Sequence, residues 1–67
     1  MAVARITEIV SSSRSGFQQA VDEGLRRAAK TLRNITGLKV IDQKAKVERG
    51  KIVEYRVAMH VTFVLED

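Results

Sequence analysis

The feature that most constrains the fold is an alternation of apolar and polar side chains near the C-terminus. Within residues 52–65 every odd-numbered position is apolar: Val53, Tyr55, Val57, Met59, Val61, Phe63 and Leu65. Successive side chains of a β-strand point to opposite faces of a sheet, so this pattern predicts one long strand with an apolar face. Residues 38–48 precede it, and we predict that they form a second strand paired with it in a hairpin.

The register of this hairpin follows from which side chains share a face. A two-residue loop at Arg49-Gly50 places lysines on the apolar face, and a shift of one residue moves every side chain to the other face. We therefore predict a three-residue loop, Arg49-Gly50-Lys51. The predicted pairs are Val47 with Val53, Ala45 with Tyr55, Gln43 with Val57, Ile41 with Met59 and, on the other face, Lys46 with Glu54.

A strand and a helix are predicted before the hairpin. Residues 3–10 are rich in β-branched types and read as a strand, and any serine of the break at residues 11–16 could cap a helix. The helix runs from Phe17 to near Arg33-Asn34, with ion pairs Asp22–Arg26 and Glu23–Arg27. Its apolar stripe consists of Phe17, Ala20, Val21, Gly24, Leu25, Ala28 and Leu32. Gly24 within the stripe indicates a close approach of the helix to the sheet.

These elements define an α+β fold of β-α-β-β order, in which a three-stranded antiparallel sheet carries one helix on its apolar face. The first strand is expected to pair with the third, which places the third at the centre. The chain is predicted to be a single domain, residues 1–67. The opposite face mixes Ile52, Ala58 and Val64 with Glu54, Arg56, His60 and Thr62, the composition that a subunit interface or a shared ligand pocket needs.

The size of the chain predicts self-association. A domain of 67 residues sits near the edge of stability, and small domains compensate with disulfides, a structural metal or oligomerisation. The sequence has no cysteine and one histidine, which excludes disulfides and argues against a structural zinc site. Residues 1–10 hold Arg5 and Glu8 and no long apolar run, so we expect neither a signal peptide nor a membrane span. We therefore expect the protein to be cytoplasmic.

The distribution of charge and the set of potential catalytic side chains limit the classes of function expected of this chain. The net charge is +4, but the bases are dispersed among acids and the three aromatic residues form no basic-aromatic motif, which argues against nucleic-acid binding. His60 is the one side chain that titrates near neutrality, and no nucleophile or second acid-base group accompanies it in a recognisable pattern. We therefore expect a surface or interface histidine and a protein that is not an enzyme.

The order strand, serine-rich turn, helix and long hairpin resembles the dodecins, small flavin-binding proteins. The resemblance covers essentially the whole chain, without one diagnostic motif. The segments that carry it are Ile6-Thr7-Glu8-Ile9-Val10-Ser11-Ser12-Ser13, Ala28-Ala29-Lys30-Thr31-Leu32-Arg33, Val40-Ile41-Asp42-Gln43 and Val61-Thr62-Phe63-Val64-Leu65-Glu66-Asp67. It implies a homododecameric shell built from trimeric and dimeric contacts, with riboflavin, FMN or FAD stacked at subunit interfaces for storage or photoprotection.

The resemblance also implies a set of site residues. Gly37 stands where flavin-binding dodecins have a stacking tryptophan, and Arg56 where they have a glutamine that bonds the flavin edge. Together with Leu38 and Gln43 these are the predicted cofactor-binding positions, although both familiar contacts are missing, which argues against flavin binding by the family's contacts. Asp42 corresponds to an aspartate near the ion site of some relatives, so a divalent cation is a further expected ligand.

Two alternatives stay open at this point. The shell either binds, stores or buffers a small ligand, or it is a structural or ion- and anion-binding oligomer with no flavin function. Arg56 either joins Lys44 and Lys46 in a cation cluster for a phosphorylated ligand, or it pairs with Asp42 or Glu54 of a neighbouring subunit.

Overall fold

The structure, a computed structural model, describes residues 3–65 and confirms the predicted fold class. Its elements are β1 (Ala4–Ser13), α1 (Phe17–Ala28), β2 (Ile35–Glu48) and β3 (Lys51–Val64). The three strands form one antiparallel sheet in the order β1-β3-β2, so β3 is central as expected. Met1, Ala2, Glu66 and Asp67 of the predicted domain lie outside the described residues. No helix within residues 3–65 has the length and apolar character needed to cross a membrane.

The first strand is longer than predicted. It extends to Ser13, because the three serines continue the ladder with β3 down to the pair Ser13 and Tyr55. The expected serine cap is wrong: α1 begins after Gly16 without a side-chain cap, and the Ser13 hydroxyl oxygen instead accepts a hydrogen bond from the Ser15 N–H at 2.9 Å. Pairing with a neighbouring strand thus outweighs the local preference of serine for turns.

The helix is shorter than predicted. It ends at Ala28 instead of near Arg33-Asn34, and a tight turn follows, in which the Lys30 N–H donates to the Arg27 carbonyl oxygen. The chain must reverse here to enter β2, which begins at Ile35 and not at residue 38. On the outer surface, Glu23 pairs with Arg26 and Asp22 accepts a hydrogen bond from Gln18. Neither predicted i,i+4 pair forms a salt bridge: Asp22 bonds to Gln18 and not to Arg26, and Arg27 acts on Glu23 only at longer range.

The hairpin reaches the predicted register by a different route. Its turn has two residues, Arg49 and Gly50, and both have positive φ values, 55° and 76°, as a type I′ turn requires. A bulge then leaves Val53 without a partner and restores the expected pairs of Ala45 with Tyr55, Gln43 with Val57 and Lys46 with Glu54. The predicted pairs Val47–Val53 and Ile41–Met59 are wrong, because Val47 opposes Ile52 and a second bulge sets Val40 opposite Met59.

Arg49 is expected to be a suboptimal residue for this turn. A side chain at positive φ costs roughly 1–2 kcal/mol, and asparagine tolerates this conformation better. Arg49→Asn should therefore raise the free energy of unfolding by about 0.5–1 kcal/mol. Urea denaturation followed by circular dichroism measures this, with Lys51→Asn in the adjoining strand as the control. An equal gain from both substitutions would contradict the turn as the cause.

The core lies where α1 crosses β1 and β3. Val57, Met59 and Val61 of the central strand are buried, as is Ala20 of the helix. Four partly buried side chains pack around them: Ile9, Phe17, Val21 and Leu38. The Phe17 and Tyr55 rings meet edge to face, with their centroids 5.0 Å apart. Outside this centre, two residues of the predicted apolar face, Val53 and Leu65, are exposed. The helix therefore covers only the middle of the long strand.

Candidate functional site: the open face of the sheet

The face of the sheet turned away from α1, here called the open face, is uncovered in the chain. Its side chains alternate with the buried residues of β3 and their partners, so Ile6, Glu8 and Val10 of β1 lie on it. Ile6 and Val10 are 62% and 70% exposed. A sheet face that presents large apolar side chains to solvent is the mark of an interaction surface.

A small cavity of about 190 Å³ lies on this face across all three strands, and we call it the cross-strand cavity. Its lining consists of Val10, Asp42, Lys44, Arg56, Val57 and Ala58. Ala58 stands between Val10 on one side and Asp42 on the other, and Lys44 faces Arg56. The floor is thus small and apolar, with charged side chains on the side of β2.

A bulge in β2 builds this cavity. The register shifts between Val40 and Asp42, so Ile41 is the extra residue and Asp42 opposes Ala58. Without the bulge, Asp42 would share the face of Val40, whose partner Met59 is buried. One inserted residue therefore places both Asp42 and Lys44 on the open face, and it places Gln43 on the helix side.

The charged groups of the cavity are paired within the chain. The Arg56 Nε donates to Glu54 Oε1 at 2.5 Å, and this hydrogen bond holds the pKa of Glu54 below its usual value, as do the charges of Arg56, Lys46 and Arg14. Lys44 lies 3.7 Å from Asp42. The acid predicted to pair with Arg56 belonged to a neighbouring subunit, whereas within the chain Arg56 pairs with its own Glu54. The terminal nitrogens of Arg56 make no hydrogen bond within residues 3–65 and can donate to a ligand.

His60 lies further along the open face. Its Nε2 is 3.0 Å from Glu8 Oε1 on β1, and Lys39 of β2 is its partner on the other side. This is the surface position expected for the histidine. Over the described stretch, no three His, Cys, Asp or Glu side chains gather into a group that could hold a metal ion.

The predicted site residues fall into two groups. Asp42 and Arg56 meet in the cross-strand cavity, whereas Gly37 and Leu38 lie at the start of β2, opposite Thr62 and Val61. Thr62 is six residues from Arg56, a separation of about 20 Å along a strand. Leu38 packs against the core. Gln43 opposes Val57 on the helix side of the sheet, so it does not face Arg56.

Comparison with known proteins identifies the family. The family model described as Dodecin matches residues 3–66. This chain belongs to the dodecin family. A dodecin of Thermus thermophilus is 32% identical over 65 residues, which are 97% of this chain and 94% of that protein. The predicted resemblance is thereby confirmed.

Solved dodecin structures share the fold over the full length. The dodecin from Streptomyces davaonensis superposes with a TM-score of 0.93 at 33% identity, covering 98% of this chain and 97% of that one. The calcium dodecin of Mycobacterium tuberculosis, described as calcium chelating with a novel calcium-binding site, has a TM-score of 0.82 at 31% identity, covering 96% and 91%. Family members of this fold therefore include one that binds calcium.

Besides Val57, sequence reasoning missed two residues of the cavity, Val10 and Ala58. Both were assigned to strands, but Val10 was the last residue of a strand that in fact continues to Ser13. The antiparallel register of β1 with β3 sets Val10 directly against Ala58. A first strand that continues through the serines would have placed the cross-strand cavity on three strands instead of two.

Proposed function

We propose that the chain is the non-catalytic subunit of a cytoplasmic, dodecin-like homo-oligomer that binds and stores a small anionic ligand. The observation that carries this proposal is the cross-strand cavity, in which Lys44 and Arg56 stand beside an apolar floor of Val10 and Ala58. A planar guanidinium beside an ammonium suits phosphate, and small apolar side chains suit the flat body of an organic ligand.

Self-association is supported by what the single chain leaves uncovered. Ile6 and Val10 are exposed on the open face, and the largest fully buried side chains are Val57, Met59 and Val61. Burial of exposed apolar surface contributes roughly 25 cal/mol per Å², so a second copy on this face would add to a small core. A cavity of about 190 Å³ is also smaller than a typical ligand pocket of roughly 300–1,000 Å³, so neighbouring copies would complete the site.

A phosphorylated flavin fits these groups better than riboflavin does. Gly37 supplies no ring to stack on a flavin, so the aromatic part of the ligand loses a contact that contributes about 0.5–1.5 kcal/mol for a pair of rings. Arg56 and Lys44 instead offer charge to a phosphate, and hydrogen bonds to charged groups contribute roughly 1.5–3 kcal/mol. FMN should therefore bind more tightly than riboflavin.

Equilibrium dialysis of the assembled protein with FMN, riboflavin and inorganic phosphate tests this proposal. We expect Arg56→Gln to reduce the preference for FMN over riboflavin about tenfold, the equivalent of about 1.4 kcal/mol, because the phosphate loses its guanidinium partner. Arg26→Gln is the matched control, because Arg26 is also exposed and paired with a glutamate, Glu23, but lies outside the cavity. Absence of saturable binding of any of these ligands would sink the proposal in its ligand-binding form.

A divalent cation is the second candidate, and the specific observation that favours it is Asp42 in the cavity of a chain related to a calcium dodecin. One carboxylate beside Lys44 is a poor site, so carboxylates of several copies would have to converge. Calorimetric titration with Ca²⁺ separates the candidates: Asp42→Asn should abolish cation binding and spare FMN. Calcium binding that survives Asp42→Asn would place the ion elsewhere.

A further inference from the structure

A second and larger concavity lies on another part of the surface, between β1 and the C-terminal half of α1. We call it the helix groove; its volume is about 600 Å³. Ile9 and Ser11 contribute from the strand, Gly24, Arg27 and Ala28 from the helix, and Lys30 from the turn that follows. This volume is within the roughly 300–1,000 Å³ of small-molecule sites.

Small residues keep the groove open. Gly24, Arg27 and Ala28 stand at i, i+3 and i+4, so they share one side of the helix, where two of the three have almost no side chain. The Ser11 side chain lies directly beneath Gly24: a Cβ there would be 3.3 Å from the Ser11 hydroxyl oxygen. β1 is also an edge strand, so its outer backbone N–H and C=O groups have no partner in the sheet. The helix groove thus combines an apolar floor with several hydrogen-bonding groups.

The two cations of the groove have no salt-bridge partner among the described residues, although both act at longer range on Glu23, whose pKa is lowered chiefly by its hydrogen bond with Arg26. Neither Arg27 nor Lys30 forms a salt bridge within residues 3–65, whereas the adjacent Arg26 is held by Glu23, its Nε donating to Glu23 Oε2 at 3.1 Å. The side chains of Arg27 and Lys30 do not bond to the carbonyl oxygens at the end of the helix either. The oxygens of Leu25, Arg27 and Ala28 accept hydrogen bonds from backbone N–H groups of residues 29–32. Two cations without a salt-bridge partner beside a cavity suit an anion site.

We propose that the helix groove binds a small amphiphilic anion, a phosphate monoester or a carboxylate with an apolar body. Arg27 and Lys30 bind the anionic group, and the apolar part lies along Ile9, Gly24 and Ala28. The Ser11 hydroxyl, which has no hydrogen-bond partner in the described part of the chain, is a further donor. This site adjoins the cross-strand cavity at Val10, which lines both, but it does not include Arg56.

Calorimetric titration of the assembled protein with hexyl phosphate tests the proposal, with 1-hexanol as the uncharged comparison. We expect saturable binding of hexyl phosphate, weakened at least fivefold by Arg27→Gln and by Lys30→Gln, and no binding of hexanol. Both positions are exposed, so these variants should fold. Arg26→Gln is the matched control and should bind as the unchanged protein does.

Three outcomes overturn the inference: no binding of hexyl phosphate at millimolar concentration, equal binding by the Arg27 and Lys30 variants, or an equal loss with Arg26→Gln. Arg56→Gln distinguishes the two sites, because it should weaken FMN binding and leave hexyl phosphate unaffected.

Discussion

Met59→Ala is expected to remove most of the stability of the chain. The Met59 side chain is 0% exposed and lies at the centre of the core between Ala20 of the helix and Val57 of the same strand. Truncating a buried methionine costs about 2–5 kcal/mol through lost burial and the cavity left behind. A chain of this length has a total stability of only roughly 3–10 kcal/mol, taking about 0.05–0.15 kcal/mol per residue.

Urea denaturation followed by circular dichroism, at one fixed subunit concentration, measures this loss. Val53→Ala is the matched control, because Val53 belongs to the same strand but is 37% exposed and not covered by the helix. We expect it to cost less than about 1 kcal/mol. Similar losses at both positions would show that the core does not lie where α1 crosses β3.

Gly24→Val is the second substitution with a large expected effect. A Cβ at this position would overlap Met59 Cε and come within 2.9 Å of the Ser11 Cβ. The methionine terminus can move, but the Ser11 Cβ is fixed to the backbone of β1, so the helix itself must lift. Overpacking of this kind costs about 1–3 kcal/mol, and separating α1 from the sheet would expose Met59 as well.

Leu25→Val isolates the cause. Both substitutions introduce a β-branched residue into the middle of α1, but Leu25 is 37% exposed and adjoins no such contact. The difference between the two thermal midpoints should be at least about 4–8 °C, which corresponds to roughly 1 kcal/mol for a domain of 60–100 residues. If Gly24→Val and Leu25→Val have the same thermal midpoint, the close approach of helix and sheet is not what requires glycine at position 24.

The elements with strong periodicity could be predicted from the sequence. The alternation through Met59 gave the central strand to within a residue at each end, and the stripe through Ala20 and Ala28 gave the helix and its buried side. The boundaries were wrong where local preference and pairing disagree. Ser11–Ser13 favour a turn in isolation, but their backbone groups bond to β3, and this pairing is a property of the folded sheet.

The candidate site was less predictable, because it depends on bulges. Nothing in the residue types around Ile41 marks an inserted residue, yet this bulge decides which face Asp42 and Lys44 occupy. Arg56 was correctly assigned to the open face because β3 alternates without interruption from Glu54 to Val64. Gly37, Leu38 and Gln43 do not join Arg56 in one chain, so any role that they share with it requires contacts between copies.

The hairpin has a consequence for how the chain becomes ordered. β1 ends opposite Tyr55, so the turn and the residues beside it, 46–54, form a two-stranded arm on a molecule 52 Å long and 19 Å wide. The arm exposes Val47, Ile52 and Val53. A two-stranded ribbon is marginally stable in water, so this arm can open while the core under α1 stays folded. Docking against another copy would then complete the folding of the arm, which makes recognition between subunits and formation of the last β-structure a single cooperative step.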